Sequence, residues 1–303
     1  MTRPRHPVKI VVRILLVLFS VEAALWLTGR IGLSVFEYRL RLDSGRSSGL
    51  FRILFLGEST MQGSSLMEPR RDRFSSLVQY RINAMPTVRP THCINLGFAG
   101  MGSGLMLARL KMNLLFYEPQ IVVIQAGNNA EMGNLASYIH LLGTESRISR
   151  ETLKSILTLF QNLRTVRFIN TVLDVVLNAN TDDFRRKHQR YLNSAHFNRL
   201  HVEINVANIG KMIDLVRGSG ARVVLCNYFE SGANEFLDEI KADKNVVFCD
   251  NRDVYQASLR NPGGSDLISV DGWHPNEKGH RLIAENLYQT MLDAGYLADV
   301  LKK

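Results

Sequence analysis

Five short aliphatic runs recur along the chain, RILFLG (52–57), THCINLG (91–97), QIVVIQAG (120–127), ARVVLCNY (221–228) and NVVFCD (245–250), each nearly free of charge and each ending in a small or polar residue. Runs without polar alternation describe strands buried on both faces, which is the signature of a parallel sheet with helices on either side. Stretches of helical length and amphipathic pattern lie between and after them: RFSSLVQYRINAM, GLMLARLKMNLLFY, VEINVANIGKMIDLVRGSG and EKGHRLIAENLYQTMLDAGY. Alternation of strand and helix predicts right-handed crossovers and a three-layer α/β domain. That domain begins at Phe51 and extends to residue 303, with a mainly helical insertion expected at about 131–199, where no run reads as a buried strand.

The first 50 residues have a different character. MTRPRHPVK is basic and is followed by IVVRILLVLFSVEAALWL, 18 mostly apolar residues interrupted by Arg13 and Glu22. This length is at the lower end for a transmembrane helix, and Arg13 is close enough to one end to extend its charge outward. Residues 1–29 are therefore expected to be an uncleaved signal anchor; a cleaved signal peptide, with VEA before Ala24 as the processing site, is the alternative. Residues 30–50, ending in LDSGRSSG, have linker composition. Either account places the domain outside the cytoplasm, periplasmic or extracellular, and secreted if the segment is removed.

The net charge of +9 is dispersed, with RRDR and RRKHQR the densest clusters, so no basic face for nucleic acid is implied. Cys93, Cys226 and Cys249 are widely spaced inside or beside apolar runs, which suits small core residues better than a disulfide framework or a zinc site. No G-x-x-x-x-G-K-[ST] occurs, and the glycines at 97, 100, 102 and 104 do not form G-x-G-x-x-G, so neither ATP nor a dinucleotide is indicated. No metal and no cofactor is expected. His196 and His201, five residues apart, do not share a helical face as two ligands would. His280, one turn into the last helical stretch, reads as structural.

In an open α/β sheet, ligands meet the loops at the carboxyl ends of the strands. Those loops carry Gly57-Glu58-Ser59-Thr60, NLGFAGMGSG, Gly127-Asn128-Asn129 and, before the last helix, DGWHPNEKGH. An isolated GEST would be a helix cap. Together, though, the four loops bring a hydroxyl, a histidine whose unperturbed pKa of about 6.5 suits a base, a carboxylate to orient it, and amide donors for an oxyanion. Asp271 precedes His274 by three residues on one short turn.

The blocks FLGES, INLGFAG, QAGNN and DGWHPNEKGHRLIAENL, in that order, resemble those of the SGNH/GDSL hydrolase superfamily. The resemblance covers about 51–290 outside the insertion. It implies a three-layer α/β/α, flavodoxin-like fold and a serine esterase or acyl hydrolase. Carried over by position, Ser59 is the nucleophile, His274 the base and Asp271 its orienting acid, with Ser59, Gly100 and Asn128 forming the oxyanion hole. The chain departs from the pattern at Glu58, where the family carries Asp, and at Asn129, where many members carry an acid. Glu58, Asn129 and Trp273 are candidates for lining a substrate pocket. The expected substrate is a lipid or acylated carbohydrate ester, and the expected further partner is the membrane, through the N-terminal segment. O-acyl transfer or deacetylation on a surface polysaccharide is the nearest alternative, and a non-catalytic, membrane-anchored binding or assembly protein on the same fold is the alternative of another class.

Overall fold

The computed structural model describes residues 13, 16–17, 19–28, 49–129, 195–260 and 266–301. The chain divides into two compact units, Met1–Ser47 with Met132–Asn198 and Ser48–Glu131 with Arg199–Lys303. Most of the first unit, including most of the expected insertion, lies outside the described residues. Residues 19–28 are helical and expose Phe19, Val21, Trp26 and Leu27. Among the described residues no helix is long and apolar enough to cross a membrane.

The second unit is built on five parallel strands, β1 (Phe51–Gly57), β2 (Thr91–Asn95), β3 (Ile121–Gln125), β4 (Arg222–Cys226) and β5 (Val247–Cys249). Their order across the sheet is β2-β1-β3-β4-β5. Strands β2 to β5 fall within their aliphatic runs, and β1 begins one residue before its own. All of β3 and all but one residue of β1 are buried, because both strands are covered from both sides.

Successive residues of a strand point to opposite faces, and the core divides accordingly. Phe51, Ile53, Phe55, Val123, Val224 and Cys226 share one cluster with Phe74, Val78 and Ile82 of α3 (Phe74–Asn83), Tyr255 of α7 (Asn251–Leu259) and Ile283, Leu287 and Met291 of α8 (Glu277–Asp293). Leu54, Leu56, Val122, Ile124, Val223 and Leu225 share the other with α4 (Ser103–Tyr117), α5 (Ala195–Gly218) and α6 (Ala233–Lys244), through Met106, Leu110, Ile209, Met212, Ile213, Phe236 and Leu237. This is the three-layer arrangement expected, with each fully buried aliphatic side chain worth about 2 kcal/mol. The cysteines Cys226 and Cys249 are free and buried, and Cys93 is free and half-buried.

Two helices that the sequence pattern did not single out, α6 and α7, complete the layers. Both are short and largely polar, so their apolar stripes are narrow. Two four-residue turns of helix, α1 (Ser59–Gln62) and α2 (Pro69–Asp72), follow β1.

The strand order determines where a site can form. From β1 the chain moves outward to β2, then returns across β1 to β3 and continues the other way. The reversal leaves a crevice at the carboxyl ends of β1 and β3, the topological switch point of such a sheet. Residues 57–60 and 127–129 leave the sheet there.

Candidate active site

Glu58 is extended and Ser59 opens α1, so the chain turns sharply at the end of β1. Ser59 is not a cap, since no side chain caps this helix; its hydroxyl is 2.8 Å from His274 Nε2. Thr60 is only 7% exposed, which leaves Ser59, half-buried, as the accessible hydroxyl of the pair.

The partner histidine sits on a tightly braced turn. Ser269 N–H donates to His274 O at 2.8 Å, Ile268 and Pro275 form an antiparallel bridge, and Gly272, at φ 76°, turns the chain between them. Asp271 Oδ2 accepts from His274 Nδ1 at 2.7 Å. Its other oxygen, Oδ1, accepts from the Ser269 hydroxyl at 2.6 Å, the Trp273 N–H at 2.9 Å and the His274 N–H at 3.0 Å. Asp271 does not cap the helix that follows; Asn276 does, accepting from the N–H groups of Lys278 and Gly279. Burial opposes ionisation of Asp271, but the four donors outweigh it and hold its pKa below the ordinary carboxylate range. With Nδ1–H given to Asp271, Nε2 is left as the acceptor for the Ser59 hydroxyl.

The loop after β2 is tied to the Ser59 turn, and the segment after α1 is tied to the His274 turn. Ala99 N–H donates to Gln62 Oε1, Phe98 N–H to Gly57 O and Ser65 Oγ to Pro275 O. Gly100 lies exposed on the loop after β2 at φ 74°, with open space where a Cβ would stand. Asn128 is exposed; its Oδ1 accepts from Ser231 Oγ at 2.8 Å, and its Nδ2 donates to nothing among the described residues. The side chain of Asn129 is turned to Met101 O at 3.3 Å, linking the loops after β2 and β3.

Glu58, a candidate pocket residue by sequence, is instead 2% exposed and lies beneath the turn at 127–129. Oε1 accepts from the N–H groups of Gly127, Asn128 and Asn129 at 2.9, 3.1 and 3.1 Å, and Oε2 accepts from the Tyr228 hydroxyl at 2.9 Å. The carboxyl is inside because Glu58, the first residue after β1, tucks under the 127–129 turn, whose three N–H groups meet it there. Desolvation raises its pKa from 4.5 to about 7, against the lowering effect of its four donors. Trp273, by contrast, is 83% exposed.

Sequence reasoning missed Ser269, Tyr228 and Ser231, which bond to Asp271, Glu58 and Asn128. Ser269 lies two residues before Asp271 in ISVDGWH and is the one of the three whose position was legible. His201 bonds through Nε2 to Gly127 O at 3.1 Å, and buried His280 accepts from Phe74 N–H. Among the described residues no group of three or more His, Cys, Asp or Glu could hold a metal ion.

The chain matches the GDSL-like lipase/acylhydrolase family over residues 53–287. It belongs to that family, hydrolases that act on esters. No curated protein matches it in sequence. Similar solved structures include the acetylxylan esterase Axe2 of Geobacillus stearothermophilus, 13% identical with a TM-score of 0.49, covering 80% of this chain and 94% of that one. The lipase/acylhydrolase of Enterococcus faecalis is 19% identical with a TM-score of 0.46, covering 80% and 96%. The psychrotrophic esterase EstA of a Pseudoalteromonas species is 18% identical with a TM-score of 0.45, covering 80% and 97%.

Proposed function

We propose that the chain hydrolyses esters through a Ser59–His274–Asp271 triad. The observation that carries this reading is the continuous hydrogen-bond chain, 2.8 Å from Ser59 Oγ to His274 Nε2 and 2.7 Å from His274 Nδ1 to Asp271 Oδ2. His274 takes the Ser59 proton as Oγ attacks the ester carbonyl, and Asp271 keeps the imidazole in the required tautomer and stabilises its cation. The N–H groups of Ser59 and Gly100 and the Asn128 amide receive the oxyanion. On collapse His274 returns the proton to the leaving alcohol. Water, deprotonated by the same histidine, then releases the acid and restores Ser59.

The substrate in this reading is a lipid or acylated carbohydrate ester. Exposed Phe98, Val270 and Trp273, on loops that carry the site, offer apolar surface to an acyl chain. The chain acts outside the cytoplasm, held by its N-terminal segment, a reading supported by the basic start and the 18-residue apolar run. Release of the protein from membranes by alkaline carbonate as readily as a variant lacking residues 1–29 would remove the anchor from this account.

A fluorophosphonate probe tests the mechanism. Wild-type protein is expected to be labelled on Ser59, and Ser59→Ala and His274→Ala to lose at least about 10³-fold in turnover of a short aryl ester while remaining folded. Folded variants with undiminished turnover would sink the triad.

A further inference from the structure

A buried acid without a cationic partner is costly, and Glu58 is such an acid: among the described residues no Lys or Arg forms an ion pair with it. What it has instead is a complete set of hydrogen bonds to one turn and one hydroxyl. Three successive N–H groups, 127 to 129, converge on Oε1. Such convergence makes a concave anion site out of backbone alone. It depends on Gly127, whose φ of 111° is open to glycine and whose added Cβ would meet the Phe236 ring at 2.6 Å.

The turn so held carries Asn128. Ser231 fixes the oxygen of its amide, and the Glu58 carboxyl fixes the backbone on which that amide is mounted. The groups facing this carboxyl from the packed elements are the Tyr228 hydroxyl after β4, with buried Cys226 behind it, and His201 of α5, which reaches the same turn through Gly127 O. We propose that Glu58 is the positioning residue of the oxyanion hole, its carboxyl group holding the 127–129 turn and the Tyr228 hydroxyl in one arrangement and thereby aiming the Asn128 amide at the carbonyl that Ser59 attacks.

Glu58 is covalently next to Ser59, so a single residue ties the nucleophile's turn to the donor's turn. Side-chain length matters to this role. Aspartate would withdraw the carboxyl by one methylene and forfeit either the three N–H groups or Tyr228. Because the inference rests on the serine-hydrolase reading, its test keeps the two separate.

The experiment measures kcat and KM for a short aryl ester, the rate of fluorophosphonate labelling at Ser59 and the thermal midpoint, on the full chain and on Glu58→Ala, Glu58→Gln and Tyr228→Phe. Loss of one well-placed oxyanion donor lowers kcat by about 10²- to 10³-fold, which bounds the effect of misaiming one. Glu58→Ala is expected to lower kcat by about ten- to a hundredfold with KM within about threefold, and to slow labelling in parallel. Glu58→Gln keeps an oxygen for the three N–H groups and presents an NH₂ to the Tyr228 oxygen, so kcat should return to within about fivefold of wild type. A folded Glu58→Ala with wild-type kcat, or Glu58→Gln no better than Glu58→Ala, overturns the proposal. Should Glu58→Ala not fold, Tyr228→Phe decides: a several-fold fall in kcat at constant KM supports the role, and an unchanged kcat overturns it. Wild-type protein that takes no label removes the hydrolase reading itself, whereas labelled wild type with an undiminished Glu58→Ala removes only this inference.

Discussion

Asp271 and Glu58 are two acids of the same site placed in opposite settings. Asp271 stands on a rim turn, with donors from Ser269, Trp273 and His274 around it, and its pKa is depressed. Glu58 also accepts four hydrogen bonds, yet its pKa rises to about 7 because it is buried just past the end of β1. The number of donors is the same, so solvent makes the difference. Water reaches the first carboxylate and supports its charge; the second has given that support up, and hydrogen bonds recover only part of it. The setting suits an acid that steadies a histidine cation in one place and an acid that braces backbone in the other.

Amide substitutions separate the two most sharply. Asp271→Asn should cost about 10²- to 10⁴-fold in kcat, since an amide donating to Nδ1 leaves the proton on Nε2, where the Ser59 hydroxyl must be accepted. Steady-state kinetics on folded protein checks this, and a loss under tenfold would place Asp271 outside the triad. The two acids also respond oppositely to pH. Glu58 binds its proton more tightly folded than unfolded, so its contribution to stability is fully present below about 4.5 and is lost as pH rises through about 7. Asp271 has the opposite sign: its folded pKa is lowered, so its contribution is present above the ordinary carboxylate pKa and is lost as pH falls. Urea midpoints followed from pH 4.5 to 8 should therefore show wild type losing ground to Glu58→Gln as pH rises, by about 3 kcal/mol at most. A flat difference would show that Glu58 titrates as an ordinary carboxyl. The smallest effect is expected at Trp273. With its side chain exposed, Trp273→Ala should change stability by no more than about 0.5 kcal/mol, and a rise in KM that grows with acyl length would mark it as a substrate contact.

Strands β1 to β4 were legible to within about two residues because a run buried on both faces has no polar register to blur it. α6 and α7 were not, since each buries only a narrow stripe on a wide polar helix. The same contrast runs through the site. The sequence presented Ser59, Gly100, Asn128, Asp271 and His274 as loop residues beyond strands, and their order along the chain matched the family's blocks. It could not show that Ser59 and His274 meet, since 215 residues separate them.

Glu58 was the residue whose place the sequence left unexplained, and the reason is physical. Hydropathy patterns register the apolar residues of β1 and stop at the first charge, whereas the turn at 127–129 supplies three N–H groups that allow a carboxyl to follow them inside. The sequence by itself determined the layered α/β architecture, its strands and the chemical types gathered at their ends, because those follow from local periodicity. Only the tertiary structure brought the Ser59 hydroxyl to His274 and decided which acid stays at the rim and which is buried. Those outcomes depend on burial and on hydrogen bonds between segments distant in sequence.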